Sequence, residues 1–235
     1  MKLRIKFKKF GPIRFIGHLD VMRFFQKAIR RAEIDVTYTS GFSPHQVMSF
    51  AAPLGVGLTS NGEYMDIEVN SMKSCQDIME RINRASVPGI EVTSVKILPE
   101  GAGNAMASVA AASYTVRFRE GREPAADMAA LLPDFLKKEH IVITKETKKG
   151  SREVDLRPAI YKLTWEQGAF SMLVDASSAG NVKPIHVIGA LLAECGESLQ
   201  ENALLVTRED VYTNIGTEEE PKLVPLEKIG FVDGG

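Results

Sequence analysis

Cysteine is scarce in this sequence, and potential metal-ligand residues are scattered. The 235 residues include only Cys75 and Cys195, which are far apart and belong to no Cys-x-x-Cys pair. This argues against a disulfide framework and a structural zinc site. Two cysteines are also too few for an iron–sulfur cluster, which usually needs three or four. His140 and His186 stand alone, without ligand spacing, so we predict no metal site and no cofactor bound by this chain.

Long apolar runs and the common catalytic motifs are also missing. No stretch approaches the roughly 20 apolar residues of a membrane helix, and the opening MKLRIKFKKF lacks the apolar core of a signal peptide. We therefore expect a soluble, cytoplasmic protein with no membrane partner. Neither G-x-G-x-x-G nor G-x-x-x-x-G-K-[ST] occurs, which disfavours dinucleotide-binding and nucleotide-hydrolysing folds. No Gly-x-Ser-x-Gly sequence is present, which disfavours a serine hydrolase.

Charge is present in balance but is unevenly distributed. The chain has 29 basic and 30 acidic residues. Residues 1–48 contain ten basic and three acidic side chains, a net charge of +7, whereas residues 161–235 contain five and twelve, a net charge of -7. Such asymmetry indicates an anionic partner for the N-terminal part.

The hydrophobic pattern of the first hundred residues alternates between strands and helices. Residues 2–10 alternate apolar and basic, which predicts a strand with one buried face and one basic, solvated face. Residues 18–32 and 74–85 have helical periodicity. Asn61-Gly62 separates two β-like runs and predicts a hairpin turn, and Ile90–Leu98 reads as a further strand.

The second half repeats this βαββαβ rhythm after the Pro- and Gly-containing segment 99–103. We therefore predict an α+β fold with two ferredoxin-like (βαββαβ-type) sandwich domains in tandem. The expected boundaries are a basic N-terminal domain at 1–100, a second domain at 104–213 and a flexible tail at 214–235.

The first candidate site lies at the start of the first predicted helix. His18 follows Gly17, with Arg14, Asp20 and Arg23 close by in sequence. Helix N-termini bind anions, so these residues are candidates for a phosphate site, and His18 is a candidate general acid or base. The alternative is that His18 and Asp20 only cap the helix.

The second candidate is the loop Ser40-Gly41-Phe42-Ser43-Pro44-His45. Phe42 and His45 offer stacking and hydrogen bonding, and His45 is a second candidate acid or base. The alternative is a structural turn with Phe42 packed into the core.

The third candidate is a basic hairpin tip followed by an Asp–Arg pair. Lys148, Lys149 and Arg157 are candidates for contact with a phosphate backbone or another protein. The alternatives are a solvated turn, and an Asp155–Arg157 pair on one strand face.

Several of these stretches together resemble a bacterial protein family. They are RFIGHLD at 14–20, QKAIRRAEI after it, SGFSPHQVMSFAAPLGVG at 40–57, GEYMDIEV at 62–69 and TKKGSREVDLRPAIYKL at 147–163. On these residues the chain resembles the radical-SAM-associated (radical SAM-linked) family, a domain of unknown function. The resemblance extends over roughly residues 2–195. It departs at Gln46-Val47-Met48, where the family more often has a second proline and a basic residue.

The resemblance implies a partner. In this family the domain is encoded beside, or fused to, a B12-binding radical S-adenosylmethionine (radical SAM) protein, often near genes for ribosomal proteins and RNA processing. With two cysteines, this chain cannot supply the three that a radical cluster needs. We therefore expect a non-catalytic accessory protein that binds a substrate, RNA, for a separate radical SAM enzyme. The expected binding residues are Arg4, Lys6, Arg14, His18, Asp20, Arg23, Lys27, Arg30, Phe42, His45, Lys148, Lys149 and Arg157.

Two other functions remain open from sequence. One is a metal-independent RNA-processing enzyme that uses His18 or His45 as general acid or base. The other is a protein-docking platform whose basic face meets an acidic patch on the radical enzyme.

Overall fold

The structure is a computed structural model, and it describes residues 1–147, 150–217 and 219–233. In these residues the chain forms a large β-sheet and four α-helices, so the predicted α+β class is confirmed. None of the helices in this part is both long and apolar enough to cross a membrane.

The chain divides into two compact units. The first contains Met1–Ala110 together with Arg208–Gly235, and the second contains Ala111–Thr207. The predicted break between residues 100 and 104 lies within the first unit, because the segment up to residue 110 still packs there: Ala105 is fully buried beside Tyr64 and Leu226. Both ends of the chain therefore build the first unit.

The first unit is a β-sheet with two helices. Its elements are β1 (Lys2–Lys9), α1 (His18–Arg31), β2 (Met48–Phe50), β3 (Thr59–Glu68), α2 (Cys75–Arg84), β4 (Ile90–Ile97), the end of β10 (Leu204–Asn214) and β11 (Leu223–Pro225). Strands β4, β1, β3 and β10 are neighbours in this order. The short strands β2 and β11 pair with β3 and β10.

Both helices of this unit pack an apolar face on the sheet. On α1 the buried positions are Val21, Phe25, Ala28 and Ile29, with the three- and four-residue spacing expected of a core-facing helix. Helix α2 begins at a Ser74 cap, whose hydroxyl accepts a hydrogen bond from the Asp77 main-chain N–H at 3.0 Å. The other helix faces remain open to solvent.

The hairpin turn predicted at Asn61-Gly62 is wrong. Both residues lie inside the continuous strand β3. A Cβ atom on Gly62 would lie 2.7 Å from the main-chain oxygen of Glu209 and 2.8 Å from the Cα of Asp210. Glycine is therefore needed here because the main chain of β10 passes very close. The Asn-Gly pair alone does not show whether its glycine permits a turn or the close approach of another strand.

The C-terminal segment covers the side of the sheet opposite the helices. It was expected to form a flexible tail at 214–235, but its described residues form β11 and a 3-10 helix at Leu226–Ile229. Leu226 is fully buried in a small cluster with Ala51, Tyr64 and Val211. The burial of this side chain holds the segment against the first unit.

The second unit has the same order of helices and strands with a hairpin added. Its elements are β5 (Ala111–Phe118), α3 (Met128–Lys137), β6 (Val142–Thr147), β7 (Gly150–Asp155), β8 (Ile160–Glu166), β9 (Ala169–Asp175), α4 (Pro184–Ala193) and the beginning of β10. Strands β10, β5, β9 and β8 are neighbours in this order, and β6 and β7 form a separate ladder.

Candidate functional site

The predicted basic face of β1 is not solvated at Arg4. The Arg4 side chain is 1% exposed, and its guanidinium binds the Asp66 carboxylate through two hydrogen bonds of 2.8 and 2.9 Å. A further hydrogen bond joins Arg4 to the main-chain oxygen of Leu226. Arg4 is therefore a buried structural residue and not a phosphate contact, which corrects the sequence expectation.

Lys6, the next cation on this face, is also occupied. Its Nζ lies 2.8 Å from the Asp210 carboxylate and 3.1 Å from that of Glu227. Burial lowers the pKa of Lys6, but the two carboxylates outweigh this effect and raise it above its usual value. Because Asp210 and Glu227 bind Lys6, this lysine is not free to bind phosphate.

Helix α1 keeps three of the predicted cations at its surface. Arg23, Lys27 and Arg30 are exposed, and their spacing of four and three residues places them on one side of the helix. We call these three residues the basic helix face. Arg23 makes a 3.5 Å contact with Asp20, while Lys27 and Arg30 have no ion-pair partner in the part of the chain that the structure describes.

The N-terminus of α1 is capped by neither of the predicted residues. Gly17 occupies the cap position and provides no side-chain hydrogen bond. The His18 ring is half-buried and packs edge-on against Phe50, with 5.0 Å between ring centroids. Asp20 instead faces Arg23. The helix start therefore keeps amide groups without a side-chain cap, which suits an anion.

Arg14 lies just before this helix, in a 3-10 helix at Gly11–Phe15. Its guanidinium lies over the exposed Phe15 ring, 4.7 Å from the centroid. The buried Nε of Arg14 has no hydrogen-bond partner among the described atoms. The Arg14–Phe15 pair therefore presents a cation and an aromatic ring together at the surface.

The predicted loop exposes its aromatic residue. Phe42 is fully exposed, which rules out the alternative of a core position. The base of the loop is closed by Thr39 and His45: the His45 N–H donates to the Thr39 hydroxyl at 3.1 Å. Buried Gln46 then donates from its side-chain amide to the main-chain oxygen of Gln26 on α1. The loop is thus anchored to the middle of the helix that carries the basic helix face.

The two candidate catalytic histidines are not brought into contact. His45 Nδ1 lies 3.2 Å from the Thr39 hydroxyl, and His18 packs on Phe50. Within the residues that the structure describes, no carboxylate pairs with either ring. The histidine that does have a carboxylate partner is His140, whose Nδ1 lies 2.7 Å from Asp155 Oδ2.

Sequence reasoning missed the His140–Asp155 pair. Fifteen residues separate the two, and the β6–β7 ladder returns the chain so that they meet. The hydrogen bond from His140, followed by those from the N–H groups of Ile141 and Arg157, lowers the pKa of Asp155 to about 2. The strand-forming residues between them are the signal that sequence reasoning could have used, because a hairpin formed by these residues brings its two ends together.

The third candidate site is only partly described. Lys148 and Lys149 lie outside the described residues. The guanidinium of Arg157 donates to the main-chain oxygen of Lys138 at 3.2 Å, so it supports the local backbone. Its predicted pairing with the Asp155 carboxylate is made by the Arg157 main-chain N–H and not by the side chain.

No group of three or more histidine, cysteine, aspartate or glutamate side chains is arranged to hold a metal ion in residues 1–147, 150–217 and 219–233. In the first unit, the exposed residues brought together by α1 and its anchored loop are instead cations and aromatic rings. This combination is typical of surfaces that bind anionic polymers.

The fold and this surface define a mixed α+β protein with a basic and aromatic face on its N-terminal unit. Residues 2–184 match the family described as an uncharacterized protein conserved in bacteria (DUF2344), and the chain belongs to that family. Comparison with curated proteins gave no match.

Proposed function

We propose that this protein is a non-catalytic accessory protein that binds RNA on its first unit and presents it to a partner enzyme. The observation that carries the proposal is the basic helix face, where Lys27 and Arg30 are exposed without an ion-pair partner among the described residues. Because Arg4 and Lys6 on β1 are paired with carboxylates, we take the exposed cations of α1 as the phosphate contacts of the first unit.

Phosphate contacts on this face would supply affinity and position. Arginine and lysine neutralise backbone phosphates and release counterions, so binding weakens as salt rises. Three contacts on single-stranded RNA give a log–log salt slope of about -2. Such contacts carry little sequence information by themselves.

Phe42 is suited to contact an unpaired base. Its ring stands fully in solvent on a loop that is hydrogen-bonded to α1 through Gln46 and Gln26. Stacking on aromatic side chains is the usual way in which proteins hold unstacked RNA bases. His45, at the base of the same loop, offers an additional hydrogen-bonding group.

The identity of the proposed partner enzyme rests on the resemblance of this chain to a known family. The motifs at 14–20, 40–57 and 147–163 resemble radical-SAM-associated proteins, which are encoded beside, or fused to, a B12-binding radical SAM protein. On this proposal the radical chemistry takes place on that separate chain, and this protein works in the cytoplasm without a cofactor of its own.

We also propose that each unit is a ferredoxin-like sandwich. The first unit has β4-β1-β3 with β2 on the far side of β3, and the second has β10-β5-β9-β8. Both orders fit a βαββαβ unit, with the β6–β7 hairpin added to the second.

A charge-reversal experiment tests RNA binding. Fluorescence anisotropy with a short unstructured RNA oligonucleotide compares the wild-type protein with the double variant Arg23→Glu/Arg30→Glu. The matched control is Lys137→Glu/Lys162→Glu, which changes the net charge equally at exposed positions of the second unit.

Loss of binding only in the α1 variant, together with salt-dependent binding by the wild type, supports the proposal. Equal losses in both variants, or no binding by the wild type, would contradict it. Cleavage of the RNA that is lost in His18→Ala or His45→Ala would favour the RNA-processing alternative. Binding of the partner enzyme that survives nuclease treatment and needs Arg23 and Arg30 would favour the docking alternative.

A further inference from the structure

The β6–β7 hairpin of the second unit places two cations directly opposite each other. Lys145 on β6 is the register partner of Arg152 on β7. Directly opposite residues have their Cβ atoms about 4.5–5.5 Å apart and lie on the same face of the ladder. Like charges in this position destabilise a pair of strands, so the arrangement needs compensation from elsewhere.

Helix α4 adds positive groups to this face. The helix packs against β6 and begins at Pro184, with Lys183 at the cap position and no side-chain capping bond. His186 lies in its first turn. Burial, followed by the charges of Lys145 and Lys183, lowers the pKa of His186. Because the helix that begins beside Lys183 packs against β6, the three groups lie near one another, and the positive end of the helix dipole adds to their field.

Lys145 on the hairpin also lies near Lys183. Burial, followed by the charges of Arg152 and Lys183, lowers the pKa of Lys145. Lys145 thus faces two other cations while it is partly withdrawn from water. Arg152 and Lys183 are exposed, but burying Lys145 beside these like charges is unfavourable unless an anion joins it.

No carboxylate in the described part of the chain supplies that anion. Among the ion pairs of residues 1–147, 150–217 and 219–233, none includes Lys145, Arg152 or Lys183. The neighbouring Glu146 and Glu153 point to the opposite face of the ladder, because side chains alternate along a strand.

His186 gives a second, independent indication. Its Nδ1 is buried and has no hydrogen-bond partner among the described atoms. Buried polar atoms of side chains are nearly always satisfied in folded proteins, so an unpaired ring nitrogen near Lys145 and Lys183 points to a missing hydrogen-bond partner.

We propose that Lys145, Arg152, Lys183 and His186 form a binding site for a phosphoryl group. Arginine offers a fork of N–H donors to phosphate oxygens, and the two lysines supply compact positive charge. This site uses residues of the second unit only, so it stands independently of RNA binding on α1. The phosphoryl group can belong to a free phosphorylated molecule or to an RNA backbone.

The test uses the full-length protein with inorganic pyrophosphate as the probe. Calorimetry measures binding, and NMR follows the titration of the His186 ring. We expect saturable binding that raises the pKa of His186, because the anion offsets the neighbouring cations. Lys145→Gln and Arg152→Gln should each weaken binding about tenfold, the equivalent of one charge-assisted hydrogen bond. The exposed control Lys137→Gln should bind as the wild type does.

Thermal unfolding of the same variants separates binding from folding. Lys145→Gln relieves the repulsion with Arg152, so it should unfold at the same temperature as the wild type or higher. A lower unfolding temperature would show that Lys145 is structural and would overturn the proposal. Absence of a saturable shift at His186, or an equal loss in Lys137→Gln, would overturn it as well.

A competition experiment identifies the source of the phosphoryl group. Displacement of pyrophosphate by a short RNA, measured on the Arg23→Glu/Arg30→Glu variant so that α1 does not contribute, supports a backbone phosphate. Displacement by a nucleoside monophosphate and not by RNA supports a free phosphorylated ligand.

Discussion

Lys6 on the first strand and Asp210 on the last long strand form an ion pair, with 2.8 Å between Lys6 Nζ and Asp210 Oδ2. Glu227 joins the same ammonium group, and the Tyr64 hydroxyl donates to the other Asp210 oxygen. The opposite charges of the two chain ends are therefore partly matched inside one unit. Charge asymmetry along a sequence can reflect such internal pairing as well as an external anionic partner.

Alkaline pH should destabilise the protein through this cluster. The two carboxylates raise the pKa of Lys6 above 10.5 despite burial, and burial together with Asp210 raises the pKa of Tyr64. Groups whose pKa is raised by folding stabilise the protein below their unfolded pKa and lose this contribution as pH rises through the folded value. Urea unfolding of the wild type at increasing alkaline pH should show the loss, and Asp210→Asn should flatten it. An equally steep loss in Asp210→Asn would contradict the assignment.

Removing one partner of the buried Arg4–Asp66 ion pair should strongly destabilise the protein. Asp66→Asn leaves the Arg4 guanidinium buried without its counter-charge, so we expect a loss of about 3–5 kcal/mol in the free energy of unfolding. The control is Asp20→Asn at the exposed Arg23–Asp20 pair, for which about 0–1 kcal/mol is expected. Urea denaturation measures both, and similar small losses would show that Arg4 is not held by this pair.

Gly62 should not tolerate a side chain. Gly62→Ala places a Cβ against the main chain of β10, which cannot move away as a flexible side chain would, so we expect a loss of about 1–3 kcal/mol. Gly55→Ala is the matched control, because its Cβ would lie 3.7 Å from Leu58, an ordinary contact. Thermal and urea unfolding of both variants provide the comparison. A stable Gly62→Ala protein would mean that β3 and β10 are less closely packed than described.

Phe42 should matter for binding and not for stability. Phe42→Ala removes a ring that makes no buried contact, so the free energy of unfolding should stay the same. Loss of one stacked base should weaken binding of single-stranded RNA by about 1–3 kcal/mol. The salt slope should not change, since no charge is removed. Unchanged RNA affinity in Phe42→Ala would exclude stacking at this loop.

Elements with a clear local period could be predicted from the sequence. Residues 18–32 were expected to be helical, and α1 extends over His18–Arg31 with its apolar stripe in the core. Strand β1 and helix α2 were found in the same way. The hairpin turn predicted at Asn61-Gly62 was wrong because the glycine is required by the close approach of β10, almost 150 residues further along the chain.

The exposed cations of the candidate site could be predicted where helix geometry alone determines which side chains face solvent. Arg23, Lys27 and Arg30 were placed opposite the apolar stripe and are exposed. Arg4 and Lys6 were placed on a solvated face by the same kind of reasoning, yet they are covered by a segment more than 200 residues away. Periodicity describes which residues share a face but does not reveal what packs on that face.

The participation of both chain ends in the first unit has a consequence for biosynthesis. A ribosome releases β1, α1 and α2 long before it has made β10 and the residues that cover Arg4 and Lys6. Until then Lys6 lacks Asp210 and Glu227, and the second unit lacks the beginning of β10. The first unit is therefore completed only after β10 and the segment that follows it have been translated, although most of its residues are made earlier.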